Sequence, residues 1–290
     1  MGPQSNYSTA QGESFSMISR ISGLVSAFLL LLSALPALAE VAGSMVIAGH
    51  GPEQHVIESL AHAFEKANPR AYIDVAWDDN SKPLEMLKAK QANIAVTGNP
   101  ENGFRSVQIA WDGIAIMVHR SNFTKEVTKQ EVAELFSGKY KFWADLGGPD
   151  TKILLLDRPR NENNRDAFEQ LLGITGKIPD ATKVIAKDEK VIKTVAGTLP
   201  PHSAVTYLSL GQALEAVASG VPVRLLPIDK VEPETPTVKD GRYPLRRPVL
   251  LLSNNEPDPL IEAFEQFALS DEGQKILSES YTPLPKTSSP

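Results

Sequence analysis

A chain of 290 residues with 42% hydrophobic, 22% charged and 7% aromatic content reads as one or two ordinary globular domains rather than a disordered, collagen-like or polytopic membrane protein. Its 29 basic against 35 acidic residues give a net charge of −6 with no Lys/Arg run, which argues against a large nucleic-acid footprint. The lack of cysteine excludes thiol catalysis, disulfide scaffolds, iron–sulfur clusters and cysteine-containing zinc sites, leaving five histidines for metal or proton chemistry.

Residues 21–39 carry no charge, have an apolar centre at 24–35, and end in Ala37-Leu38-Ala39, small residues suited to a cleavage site before Glu40. The pattern is that of a cleaved signal peptide and implies export to a bacterial periplasm. A retained anchor is the weaker alternative, because Ser22, Gly23, Ser26, Ser33 and Pro36 interrupt a stretch that barely reaches the ~20 residues needed to span a bilayer. Arg20 is the basic residue ahead of this segment and Met17 stands just before it, so residues 1–16 read as upstream sequence and Met17 as the start.

Beyond Glu40, short apolar runs alternate with amphipathic stretches. Residues 44–48 read as a buried strand, Gly49-His50-Gly51-Pro52 as a turn, and Val56, Ile57, Leu60, Ala61 and Phe64 as one helix face that ends at Asn68-Pro69. A strand at 72–77, a polar loop at 78–81, a short helix at 83–90 and a strand at 94–97 repeat the pattern, the βαβα order of a parallel sheet covered on both faces. A longer strand, 107–118, leads to His119. Thr128-Lys129-Gln130-Glu131 is a capping box opening a helix that Gly138 closes. A second α/β unit follows, with strands at 153–156 and 205–209, a polar loop at 157–164, and helices at 165–172, about 190–196 and 210–219. Residues 231–241, rich in Pro, Thr and charge, read as a surface loop. A strand at 248–252 and a helix capped by Asp258, with Pro259 at its start, complete the chain.

Several runs occur in this order: Asp112-Gly113-Ile114-Ala115-Ile116; Leu135-Phe136-Ser137-Gly138-Lys139 with Trp143; Leu146-Gly147-Gly148-Pro149; Arg165-Asp166-Ala167-Phe168; Tyr207-Leu208-Ser209-Leu210-Gly211; Tyr243-Pro244-Leu245-Arg246-Arg247-Pro248; and Leu269-Ser270-Asp271-Glu272-Gly273-Gln274. Together they resemble the phosphate-binding proteins of ABC uptake systems. The resemblance implies the α/β type II periplasmic-binding-protein fold, with two lobes closing on a ligand and a hinge crossed twice, near His119 and Tyr243. Residues 40–119 and 244–290 would form one lobe and 120–243 the other. It also implies a monomeric periplasmic solute-binding protein that hands a small molecule, phosphate or another anion, to an ABC permease.

Members of that family hold dehydrated phosphate with hydroxyls, an arginine and backbone N–H groups on glycine-rich loops at helix N-termini. The corresponding loops here are Gly49-His50-Gly51-Pro52, where Pro52 has no N–H to give, Asp78-Asp79-Asn80-Ser81, Asn93 to Gly98, and Asn161-Glu162-Asn163-Asn164-Arg165. The candidate ligand residues are His50, Gly51, Asn80, Ser81, Thr97, Arg160, Asn163, Asn164 and Arg165. The departures imply an altered site. A carboxylate ~5 Å from one unit of ligand charge costs about 3 kcal/mol at an effective dielectric of 20, so Glu162 opposes phosphate unless it turns to solvent or Arg158 and Arg160 offset it.

Other readings stay open on the residues alone. Arg165 either meets the ligand or pairs with a carboxylate such as Asp157, and His50 either meets the ligand or is a solvent-exposed turn residue. His55 and His62 share a helix face, as metal ligands or as plain surface histidines. Trp77, Trp111 and Trp143 line a pocket or pack in the core. Asp78 and Asp79 lack a nucleophile or metal cluster beside them and read as helix caps, so no enzyme activity, metal or other cofactor is expected. The alternative function is a sensor or interaction protein that kept the fold and lost phosphate binding.

Overall fold

The strands of the protein lie in the order Arg70–Trp77, Ala42–Gly49, Ile94–Thr97, Arg246–Ser253, Arg105–His119, Ala204–Ser209, Leu154–Asp157 and Lys183–Val184. The computed structural model describes residues 1–2, 41–77, 82–160, 162–180 and 182–285. The export segment, the suggested start at Met17, the loop holding Asn80 and Ser81, and Asn161 lie outside the described residues. Residues Val41–Pro290 form one unit and are described by themselves. Among the described residues, no helix is long and apolar enough to cross a membrane.

β1 (Ala42–Gly49) runs parallel to β2 (Arg70–Trp77), from Ala42 opposite Arg70 to Gly49 opposite Trp77. α1 (Gln54–Ala67) joins them and buries Val56, Ile57, Leu60, Ala61 and Phe64, the five residues whose spacing marks the helix in the sequence. α2 (Pro83–Lys88) leads to β3 (Ile94–Thr97), parallel to β1 on its other side. The sequence suggests a parallel sheet, but this one is mixed. β9 (Arg246–Ser253) is antiparallel to both β3 and the long β4 (Arg105–His119). A strand arriving from 135 residues downstream in sequence leaves no local periodicity to announce its direction.

β4 belongs to both halves of the unit. Arg105–Gly113 pairs with β9, and Ile114–Val118 pairs with β7 (Ala204–Ser209), while its end also meets β8 (Val223–Leu225). The core changes at the same point. Ile109 and Ala110 join Met45, Ile57, Phe64, Val249 and Phe264 in one cluster, whereas Ile114 to Val118 join Phe136, Phe168, Tyr207 and Leu245 in another. Gly113 stands at the change of partner, where an added Cβ would lie 2.8 Å from the Val238 side chain.

The second half contains α3 (Lys129–Phe136), β5 (Leu154–Asp157), α4 (Asn163–Leu172), β6 (Lys183–Val184), α5 (Asp188–Gly197) and α6 (Leu210–Ala218). The capping box of α3 is present in full, with Thr128 and Glu131 bonding to each other's backbone N–H. Residues 231–241, expected to be a loop, contain α7 (Thr235–Lys239). Its Thr237 hydroxyl donates to the carbonyl of Glu232 at 2.7 Å, and its Val238 is fully buried, so tertiary packing sustains a turn that Pro236 and two threonines disguise. α8 (Pro259–Leu269), α9 (Asp271–Leu277) and β10 (Thr282–Pro283) return the chain to the first half, where β10 pairs with β4.

Candidate functional site

The carboxyl end of β1 meets the start of α4, and the local sequence explains how. Trp77 at the end of β2 lies over Gly49, where an added Cβ would stand 2.0 Å from the indole ring. The same indole N–H donates to the carbonyl of Gly51 at 3.1 Å, and Gly51 holds φ +120°, a conformation that suits glycine. The turn 50–52 is thereby pinned against β2. Across from it, Phe168 stacks on Tyr207 with centroids 3.9 Å apart and meets Phe136 edge to face at 4.9 Å, which anchors α4 to β7 and α3. The backbone N–H of Asn163 donates to the carbonyl of His50 at 3.3 Å, and the Asn163 side chain donates to the carbonyl of Val96 at 3.0 Å.

Three buried arginines surround this junction, each held by two carboxylates. Arg158 pairs with Glu162 at 2.9 Å and Asp188 at 2.5 Å. Arg165 pairs with Asp157 at 3.1 Å and Glu169 at 3.0 Å, and donates its third nitrogen to the carbonyl of Arg158. Arg247 pairs with Glu53 at 2.5 Å and Asp112 at 2.9 Å, and Asp112 also accepts from the Ser209 hydroxyl. Burial pushes the Glu162 carboxyl up to about 7 from an ordinary 4.5, against the pull of Arg158. Burial likewise raises Asp112 and Asp188 above the usual carboxylate range, opposed by Arg247 and Arg158 respectively.

A cavity of about 550 Å³ opens beside the junction, lined by His50, Gly51, Pro52 and Trp77 on one side and by Arg158, Glu162, Asp188 and Gln212 on the other. A smaller one of about 350 Å³ lies on the far side of Asn163, with Thr97, Asp166 and Gln170 in its wall. Burial raises the Asp166 carboxyl there to about 6.

Residues 36–272 match the PBP superfamily domain. The chain belongs to the PBP superfamily. It is 26% identical to the phosphate-binding protein PstS of Bacillus subtilis over 84% of this chain and 82% of that relative. Among solved structures, a phosphate-bound substrate-binding protein from Clostridium perfringens superposes with a TM-score of 0.73 at 25% identity, covering 84% of this chain and all of the other. An ABC-type phosphate transport receptor from Vibrio cholerae gives 0.72 at 22% identity over 83% of this chain and all of the other. The fold is that of the type II periplasmic binding proteins, with PstS-like proteins as its relatives.

Within that PBP fold, the residues singled out from the sequence fall into three groups. His50, Gly51 and Asn163 meet at the junction, and His50 is buried there rather than exposed on a turn. Asn164 and Arg165 occupy the first turn of α4; Asn164 is fully buried with neither side-chain polar atom partnered, whereas all three guanidinium nitrogens of Arg165 are engaged within the protein. Thr97 and Arg160 lie away from the larger cavity. The Thr97 hydroxyl accepts from the Asn99 N–H at 3.2 Å, and Arg160 pairs with Asp180 on the surface. Glu162 turns inward, not to solvent, and it is Arg158, not Arg160, that meets it. Trp143 donates its indole N–H to the carbonyl of Ser203 in the core, Trp111 stacks under Arg246, and only Trp77 of the three lines the cavity. His62 is exposed beside Glu65, and no group of three metal-binding side chains occurs among the described residues.

Sequence reasoning missed Glu53, Asp112 and Arg247. Glu53 offers a signal: an acid directly after Pro52, in the loop that bears hydroxyls in the family it resembles.

Proposed function

We propose that this protein is an exported solute-binding protein of an ABC-type uptake system, descended from the phosphate-binding type, with an altered ligand site. One observation carries the reading. The β1–α1 turn and the N-terminal cap of α4, which come from different halves of the sheet, converge on the polar cavity of about 550 Å³ beyond the ends of β1 and β5. Ligands of open α/β folds sit in such crevices. The two cores that change over on β4 support reading residues 40–119 with 244–290 as one lobe and 120–243 as the other, closing on the ligand before delivery to a permease.

The alteration is one of charge. A phosphate dianion entering beside Arg158 meets Glu162 and Asp188, and the Arg247 guanidinium is already held by Glu53 and Asp112. At ~5 Å each uncompensated carboxylate opposes each unit of ligand charge by about 3 kcal/mol. His50, Gly51, Arg158 and Asn163 are the residues we assign to the ligand side of the junction; Asn80 and Ser81 stay in the expected set. A melting-temperature screen of the purified protein against oxyanions, amino acids, betaines and polyamines tests the function. A ligand at a thousand times its dissociation constant adds about 4 kcal/mol, a shift on the order of 10 °C. A flat response across all four classes counts against a solute-binding role.

A further inference from the structure

The larger cavity has two unlike sets of groups in its wall. Glu58, in the second turn of α1, lines it together with Asp188 and Glu189 at the start of α5, and the Trp77 indole stands in the same wall, held in place by Gly49 and Gly51. Among the described residues of that wall, four acids face two bases, Arg158 and Lys187. The wall also holds three side-chain atoms that lack partners, the acceptor Gln212 Oε1 and two more deeply buried nitrogens. Arg158 and His50 line the cavity, are each more than nine-tenths buried, and leave Nη1 and Nδ1 respectively without a hydrogen bond.

Each simple class of ligand satisfies only one of these sets. A dianion answers Arg158 Nη1 but meets the surplus of carboxylates, and a bare cation answers the carboxylates but is repelled by Arg158 and leaves its donor unsatisfied. A divalent metal also lacks a cluster of three ligating side chains among the described residues. A molecule with both charges satisfies both sets. Resting on the reading of this cavity as the ligand site, we propose that it takes a small zwitterion, with its ammonium group against Trp77 and the acidic wall and its carboxylate on Arg158 and His50. Both unpartnered nitrogens are shut off from water, so the carboxylate seats by parting the 50–52 turn from the 158–162 side. The volume of about 550 Å³ suits an amino acid or a betaine.

Calorimetric titration of the purified protein with glycine betaine, L-glutamine, putrescine and sodium phosphate tests this. At least one of the two zwitterions should bind 100-fold or more tightly than either putrescine or phosphate. Glu58→Gln, which removes one charge from a partly exposed side chain, should weaken that binding about tenfold with an unchanged melting temperature for the free protein, and Trp77→Phe should weaken it less. Tighter binding of phosphate or putrescine overturns the zwitterion assignment while leaving the solute-binding role intact, because a ligand is still captured. Silence from both zwitterions also overturns it, and the wider melting screen then decides the role separately. Zwitterion binding that Glu58→Gln leaves untouched overturns the placement of the ammonium in this cavity.

Discussion

Two regions of the molecule bury carboxylates, and they balance them differently. Behind the first half of the sheet, fully buried Glu265 accepts from the Ser253 hydroxyl at 2.9 Å and pairs with Arg105 at 3.0 Å, one arginine to one acid, with Arg105 reaching solvent. At the junction of the two halves, Arg158, Arg165 and Arg247 each face two acids, and burial is almost complete. The first arrangement staples a helix to a sheet. The second leaves two acids around each guanidinium, a surplus of carboxylates in a buried place.

The largest effect that separates the two regions comes from removing the shared arginine. Arg247→Met leaves Glu53 and Asp112 buried with no cation and should cost about 3–5 kcal/mol of stability in urea unfolding. Arg105→Met strips one buried acid, Glu265, of its cation, but leaves it the Ser253 hydroxyl at 2.9 Å, so the loss should be smaller, on the order of 2 kcal/mol. Equal losses would contradict the contrast.

A pH titration sharpens it further. Because the folded protein holds the Glu162 proton more tightly than the unfolded chain, with about 7 against 4.5, the folded state binds more protons between those values. Stability from this group is therefore greatest below about pH 4.5 and falls by roughly 3 kcal/mol as pH rises to 7. Urea midpoints measured across that range should decline for the wild type, and the decline should be shallower in Glu162→Gln. A slope unaltered by the substitution would mean that Glu162 titrates normally.

The smallest effect lies on the first side alone. Asp258 accepts from the N–H groups of Leu260 and Ile261 at 3.0 Å, so Asp258→Ala should cost about 1 kcal/mol in thermal unfolding, with ligand binding unchanged.

These contrasts also explain what could be read from the sequence. The α1 face, the capping box at Thr128 and Glu131, and the Asp258 cap are local patterns within one or two turns, and each stands where the spacing places it. α7 escapes because Pro236 and the neighbouring threonines carry loop propensity, while its stability comes from Val238 packing beside Gly113. The arginine clusters escape for a different reason. Glu53 and Arg247 are 194 positions apart, and Arg158 and Asp188 are 30 apart, so no window of sequence contains both partners. Arg165 lies between these cases: a cation in the first turn of a helix asks for an anion, the sequence offers a carboxylate such as Asp157, and the structure pairs Arg165 with Asp157 and adds Glu169.

Calorimetric titration of the purified protein with phosphate at pH 8, where Glu162 is ionised, tests the proposal that buried carboxylates have altered a phosphate-type site. Binding no tighter than the millimolar range is expected. Submicromolar phosphate affinity at that pH would contradict it and would place Glu53, Glu162 and Asp188 outside the reach of the bound anion.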